Sequence, residues 1–447
     1  MNSRRPYLTK LSQFAWLASF WFAVHFIWAT LLPVVIPARV ERLVALEVYG
    51  SRLGIVLGLG ALVSAVLQLT IGFISDSSES RLGRRKPYII IGVLASTAAL
   101  LYLVEAPFYW HLVVAYFLVQ IFLNLASVPY QSMMPDLVPE RYHGRAAAMM
   151  GLFDLTGKLS GLLAVGAVIS GVGAGAASVA ATIPGYTLLG VAYCMLLLGL
   201  GIAVVLKTPS YPQIPQAGFL RFRFVQEGRP APLEILRQYV KFEFARNPNF
   251  VKLACSRAAI LLGYYTFVPL VYRFCVTNLN VSESERGMAA VLLAAIILGA
   301  VAGNLAGGYL SDRIGKRRVI FLGMSVSIVF MIPVIFAHSF AQAAYFGAAL
   351  GVGWGAFIAA DWAFAFTLIP KERTARYMGV WDLTALAPQM VAPLVAGFAR
   401  DNLLGLPGGE ATAYQIIFSC SILYFIAGLV ILGFVRERPI AQQEEAE

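Results

Sequence analysis

Twelve predominantly apolar runs, each about 20 residues or longer, succeed one another along the chain, separated by breaks rich in Pro, Gly and charge. A helix needs roughly 20 residues to cross about 30 Å of hydrocarbon, and none of the runs alternates with the period of two that marks a half-buried strand. The pattern predicts transmembrane helices over 13–37, 50–75, 87–105, 109–134, 145–170, 183–206, 250–274, 286–310, 318–337, 341–369, 376–399 and 411–435. Hydrocarbon offers no partner to a bare peptide group, so each run must bond its own backbone as a helix. The first run is too long and too rich in Trp and Phe for a cleavable leader and is read as the first span.

Between the spans the breaks repeat. GFISDSSESRLGRRKPY (72–88), after the second span, is echoed by GYLSDRIGKRR (308–318), after the eighth, and PDLVPERYHGRAAAMMGLFDLT (135–156) is echoed by FTLIPKERTARYMGVWDLT (366–384). The chain is therefore expected to be an all-α membrane protein of two pseudo-symmetric six-helix halves, 1–206 and 250–447, joined by a linker over 207–249. Within the linker, PLEILRQYVKFEFARNP predicts a short amphipathic surface helix ending before Pro248.

Charge then decides orientation. The net charge of +11 could suit a nucleic-acid binder, but 26 of the 34 Lys and Arg fall in the breaks on one side of the spans, against six on the other and two inside. The positive-inside rule puts that side, and both termini, in the cytoplasm. Cys194, Cys255, Cys275 and Cys420 stand in or at the ends of spans without metal-ligand spacing, which suggests buried thiols, with no disulfide framework and no zinc. GLFDLTGKL, the stretch nearest a nucleotide-binding loop, has one residue too many between its glycines and Leu159 where Ser or Thr should hold magnesium.

Charges inside spans are costly and tend to mark a pathway. They are Asp154 and Lys158 in the fifth span, Arg257 in the seventh, Asp361 in the tenth and Asp382 in the eleventh. Asp154 lies nine residues beyond Arg145, roughly 13 Å into the membrane, and Lys158 is placed to pair with it one turn on. With both cations paired, one acid is left over to carry a proton; Asp361 ranks first because no cation neighbours it in sequence, followed by Asp154 and Asp382. Sodium is the alternative coupling ion. An intramembrane acid pair of Asp154 and Asp382 is the weaker, enzymatic alternative.

Polar stripes mark a cavity. Gln120, Asn124, Ser127 and Gln131 fall on one face of the fourth span, and Trp21, His25 and Trp28 share a face of the first. Arg257 shares a face with Tyr264, and Trp354 with Asp361. Rings beside amides and charges suit the CH faces and hydroxyls of a carbohydrate. Gly54 with Gly58, and Gly299 with Gly303 and Gly307, are read as close-packing sites.

The loop Gly308, Asp312, Gly315, Lys316, Arg317 resembles the signature of the major facilitator superfamily, and its first copy, with four extra residues after Asp76, is similar to that of the sucrose transporters and the glycoside-pentoside-hexuronide cation symporters. The resemblance implies the major facilitator fold, with the first, fourth, seventh and tenth helices lining a central cavity. It also implies gating by Asp76, Arg84, Arg85, Asp312 and Arg317. The expected function is secondary transport by alternating access, a proton-coupled symport of a sugar or glycoside. Export of amphipathic or drug-like compounds, or carriage of a lipid or tetrapyrrole, is the alternative. No cofactor, metal or nucleic acid is expected, and a monomer in a bacterial cytoplasmic membrane is.

Overall fold

In the computed structural model the described residues are 7–76, 78–139, 142–170, 185–209, 221–222, 247–279, 281, 287–369 and 374–436. The expected amphipathic helix of the linker lies outside them. Among the described residues twelve helices are long and apolar enough to span a membrane: α1 (Leu11–Leu43), α2 (Tyr49–Asp76), α3 (Lys86–Val104), α4 (Tyr109–Gln131), α5 (His143–Ser170), α6 (Gly185–Lys207), α7 (Pro248–Asn278), α8 (Met288–Ile314), α9 (Lys316–Ile335), α10 (Phe340–Leu368), α11 (Thr374–Leu403) and α12 (Gly409–Gly433). The one ladder among the described residues is two residues long: β1 (Ser78–Glu79) runs antiparallel to β2 (Arg221–Phe222). The four extra residues of the first loop motif thus supply a strand on which the linker adds its own.

Helix α1 is not uniform. At Leu31–Val35, LLPVV, it widens into a π-turn, because Pro33 has no N–H to donate and its ring crowds the preceding turn. Helix α7 tightens similarly to a 3-10 turn at Val268–Leu270, around Pro269.

The chain forms two compact units, residues 1–35 with 59–236 and residues 36–58 with 237–447. The line between them differs from one drawn at the linker, because the distal end of α1 and the start of α2 go with the second unit. In the first unit α1 packs on α5 and α6, and α3 on α4 and α6; in the second α7 packs on α11 and α12, and α9 on α10 and α12. The sequence repeat is thus a repeat of contacts.

Glycine sets the closest approaches. A Cβ on Gly299 or Gly303 would overlap the carbonyl of Ala348 or Val352 in α10, and one on Gly351 or Gly355 would overlap Ile296 or Ala300 in α8. Without a hydrophobic drive between helices in lipid, such backbone contact is a main source of association. Two other glycines are conformational: Gly83 and Gly315, the matching positions of the two loop motifs, hold φ of 85° and 91°, a region in which side chains are strained. Large apolar residues such as Leu206 and Leu305 stay exposed, at 74% and 73%, as lipid-facing positions should. Cys194 and Cys275 are buried as expected, whereas Cys255 and Cys420 are exposed, and all four are free thiols.

Candidate functional site

In the first unit Asp154 is held between two cationic or potentially cationic groups. Lys158, one turn along α5, brings Nζ to 2.9 Å, and His25 of α1 brings Nδ1 to 2.8 Å. That contact requires α1 and α5 to touch, which they do through Gly157 and Gly161, each seated against a backbone carbonyl of α1, those of Phe22 and Phe26. The far nitrogen of His25, Nε2, is buried without a hydrogen-bond partner. Trp21 sets its ring edge-on to His25 at 4.6 Å and tilted against Tyr130 at 5.6 Å. Trp28 is half-buried on the same helix.

The polar stripe of α4 is tied to α2. Asn124 donates to the Gln120 carbonyl (2.7 Å) and to its side-chain Oε1 (3.2 Å), and Gln120 donates to the Tyr116 hydroxyl (2.7 Å). Ser64 of α2 donates to Asn124 (3.4 Å), and Gln68 donates to Ser64 (3.3 Å). These amides therefore hold two helices together and present what hydrogen-bonding capacity remains. Gln131 lies exposed at the end of the stripe. Tyr116, Ser64 and Gln68 belong to this network and were not singled out from the sequence, although Ser64 and Gln68, spaced i, i+4 in an apolar span, were a readable signal.

In the second unit Arg257 of α7 meets Asp361 of α10, an acid the sequence left without a partner. Nε stands 3.1 Å from Oδ2, within range of an ion pair yet off the line of a hydrogen bond, and Oδ1 of Asp361 is buried with no hydrogen-bond partner. The guanidinium has other seats. Nη1 donates to the Trp381 carbonyl at 3.0 Å, and the group lies 4.2 Å over the Trp381 ring and 5.4 Å from that of Trp362. Trp381 is fully buried and was missed, although it immediately precedes the singled-out Asp382. Asp382 itself is exposed and makes no ion pair among the described residues, though its charge acts on Arg257. The acid left over is thus Asp382, and Asp361 is the paired one. Tyr264 and Trp354 stack at 4.5 Å with planes 6° apart, a flat aromatic surface built from α7 and α10.

The loop motifs fasten elements within each unit. Arg84 chelates Asp136, in the short helical turn Met133–Leu137 that follows α4, with 2.8 and 2.9 Å bonds, while Arg85 donates to Asp136 (3.1 Å) and to Ser75 (3.0 Å). Lys86 donates to the Thr208 carbonyl beyond α6 at 2.6 Å. Arg317 of the second motif donates to the Gly433 carbonyl at the end of α12, 2.7 Å, where the helix dipole favours a cation. Asp312 is exposed, and the side chain of Asp76 lies outside what is described. Asp136 sits in the repeated break PDLVPE but has no acidic counterpart in the second copy, which is why comparison of the halves passes over it.

Twelve spans, an internal repeat and charges paired within the spans define a membrane transport protein of the facilitator type. The chain belongs to the family described as MFS/sugar transport protein, which matches residues 45–446. It is 30% identical over 151 residues to the minor myo-inositol transporter IolF of Bacillus subtilis (strain 168), and 29% identical over 136 residues to the uncharacterized protein YqgE of the same organism. These stretches cover 34% and 29% of the chain, and the chain spans about a third of the length of these curated relatives, 34% and 30%. Among solved structures, a bacterial homologue of the human lysosomal transporter Spinster, inward-facing and unoccupied, superposes with a TM-score of 0.71 at 16% identity, covering 94% of this chain and 96% of that one. The nucleoside transporter NupG does so with a TM-score of 0.68 at 11% identity, covering 94% and 99%. These likenesses establish the fold, and the family points to a transporter rather than an enzyme.

Proposed function

We propose that the chain is a secondary carrier that takes up a sugar or related polyol by alternating access, with a proton on Asp361 as the coupling ion. The observation that carries the coupling is the double seating of Arg257. Asp361 is 3% exposed and a buried carboxylate must be paired or protonated. Its cation, however, also holds the Trp381 carbonyl and ring, so a proton can neutralise Asp361 without leaving the guanidinium unheld. A site that is stable both charged and neutral is what coupling to a proton needs.

Support for the substrate class comes from the family and from a relative named as a myo-inositol transporter. The Tyr264 and Trp354 stack offers a face for sugar CH groups, and the amides of α4 offer hydroxyl partners. The positive-inside distribution supports cytoplasmic termini, and the lean breaks suit a bacterial cytoplasmic membrane.

The test is substrate-induced pH change in proteoliposomes over a panel of monosaccharides, disaccharides and cyclic polyols, with the native chain beside Asp361→Asn. External alkalinisation with one substrate, lost in the variant while substrate exchange persists, is expected. Coupled proton movement that survives Asp361→Asn would remove the acid from its role; movement of a cationic amphiphile, with no response to any polyol, would overturn the substrate class.

A further inference from the structure

The two copies of the loop motif differ in a way that transport chemistry does not require. The first carries four extra residues, Ser77-Ser78-Glu79-Ser80, between Asp76 and Arg81, whereas the second passes from Asp312 through Gly315 straight into α9. The insertion is folded in. Ser78 and Ser80 are 5% and 1% exposed. The Ser78 hydroxyl donates to the Ser75 carbonyl at 2.9 Å, and Ser80 accepts from the Leu82 N–H on its hydroxyl and from the Gly83 N–H on its carbonyl, both at 3.0 Å. Buried polar groups are costly unless bonded, and the backbone of 78–79 is bonded by the linker: Ser78 stands opposite Phe222 and Glu79 opposite Arg221.

The linker meets the same motif at its root. Lys86, 7% exposed, donates to the Thr208 carbonyl at 2.6 Å, so a cation caps the end of α6 where the linker leaves it. Pro209 then lines a small cavity together with Gly83, Arg85, Lys86, Met133 and Asp136, beside the pairing of Asp136 with Arg84 and Arg85. Two opposed residues alone make a marginal sheet. Rooted at Thr208, however, the linker strand reaches β1 from within one short stretch of chain, so pairing costs only the closure of a small loop. Only the first half of the chain leads into a linker, and only its motif carries the insertion.

We propose that Ser78 and Glu79, in the insertion, are a docking site for the chain's own linker, and that the docked linker acts as a brace. It covers the pairing of Arg84 and Arg85 with Asp136 and so fastens the loop between α2 and α3 to the turn that follows α4. An ion pair in open water contributes little, because solvent competes for both partners. Under cover the side chains of Arg84, Arg85 and Asp136 are held at 23%, 7% and 20% exposed, where a forked, charge-assisted bond is stronger. The brace lies wholly within the first unit and involves neither the substrate nor the coupling ion.

The test uses a chain whose four cysteines are replaced by serine and which carries Ser78→Cys with Phe222→Cys, a directly opposed pair. Opposed positions of an antiparallel ladder lie within disulfide reach, so mild oxidation in detergent is expected to close this pair about tenfold faster than Leu82→Cys with Phe222→Cys, read as loss of maleimide labelling. In the otherwise native chain, deletion of residues 77–80 should speed tryptic cutting after Arg221 by about tenfold. The same deletion should shrink the drop in unfolding temperature caused by Asp136→Ala to about half. Lys86→Met, which keeps the length of the side chain and loses its ammonium, should move both readings in the same direction, and it carries the test should the deletion not fold. Equal closing rates for the two pairs, or cutting at Arg221 that ignores both changes, would overturn the docking. An Asp136→Ala loss of one size, with the linker docked or released, would overturn the brace.

Discussion

Arg257→Gln should be far more damaging than Asp361→Asn, although each removes one partner of the same ion pair. Among the described residues the carboxylate has one cation, Arg257 Nε at 3.1 Å, and an Oδ1 without a hydrogen-bond partner. Removing the guanidinium strands a buried negative charge, which costs about 3–5 kcal/mol. The guanidinium has more to fall back on: with Asp361 neutral it keeps the Trp381 carbonyl at 3.0 Å and the ring at 4.2 Å, and a desolvated cation over an indole is worth about 2 kcal/mol. Asp361→Asn should therefore cost only about 1–2 kcal/mol.

The assay is equilibrium unfolding in detergent for the two single variants and the double variant. Because Arg257→Gln with Asp361→Asn strands nothing, the double variant should be more stable than Arg257→Gln alone, and the cycle should close with a coupling of about 2–3 kcal/mol. Equal single costs, or a double variant that is the plain sum of the two, would refute the unequal seating on which the proposed coupling depends.

Three further outcomes follow from local geometry. Gly303→Ala, which drives a methyl into the Val352 carbonyl, should cost at least about 2 kcal/mol of bundle stability, whereas Gly308→Ala, with nothing within 4 Å of its added carbon, should change it by less than about 0.5 kcal/mol in the same unfolding assay. Gly315→Ala, at a φ of 91°, should lose about 1 kcal/mol, with Gly83→Ala behaving alike if the loops are true repeats. Arg84→Ala and Asp136→Ala should each destabilise the segment that follows α4, and a double-mutant cycle should return a coupling of about 1–2 kcal/mol for their bidentate bond; additive losses would show the pair to be incidental.

Spans, repeat and fold were legible because lipid imposes one rule on every peptide group and leaves helices as the only local solution. The positions of single charges were legible for the same reason, since each costs free energy in hydrocarbon. Their pairings were only partly so. Asp154 with Lys158 follows from helical spacing, but the third member, His25, comes from another helix, as does the Arg257 that meets Asp361. Counting acids against cations left one acid over, as the structure does, yet assigned it to Asp361 and not to Asp382, because sequence distance says nothing about which helices touch. Trp381 escaped altogether: an aromatic residue in an apolar span carries no polar cost to betray it, and its role depends on the one guanidinium beneath which it lies.

The repeat itself explains why the two halves cannot be assigned the same chemistry. Asp154 and Asp382 occupy matching places in FDLT and WDLT, on α5 and α11, which pack on α1 and α7 in the same way. In the first unit the α1 residue that reaches this acid is His25, and Lys158 on α5 shares the carboxylate with it. In the second, α7 supplies Arg257, and the guanidinium is longer and forked, so it passes over the Trp381 ring to Asp361 on α10 and leaves Asp382 exposed. Duplication thus placed two carboxylates in equivalent positions, and two differences separated them, Arg257 for His25 on the facing helix and Leu386 for Lys158 one turn along, into one held by two cationic groups and one left to the surface. On that view the proposed coupling acid is not a repeated acid at all, and a transport phenotype confined to Asp361, with Asp382→Asn close to native, is the outcome the asymmetry requires.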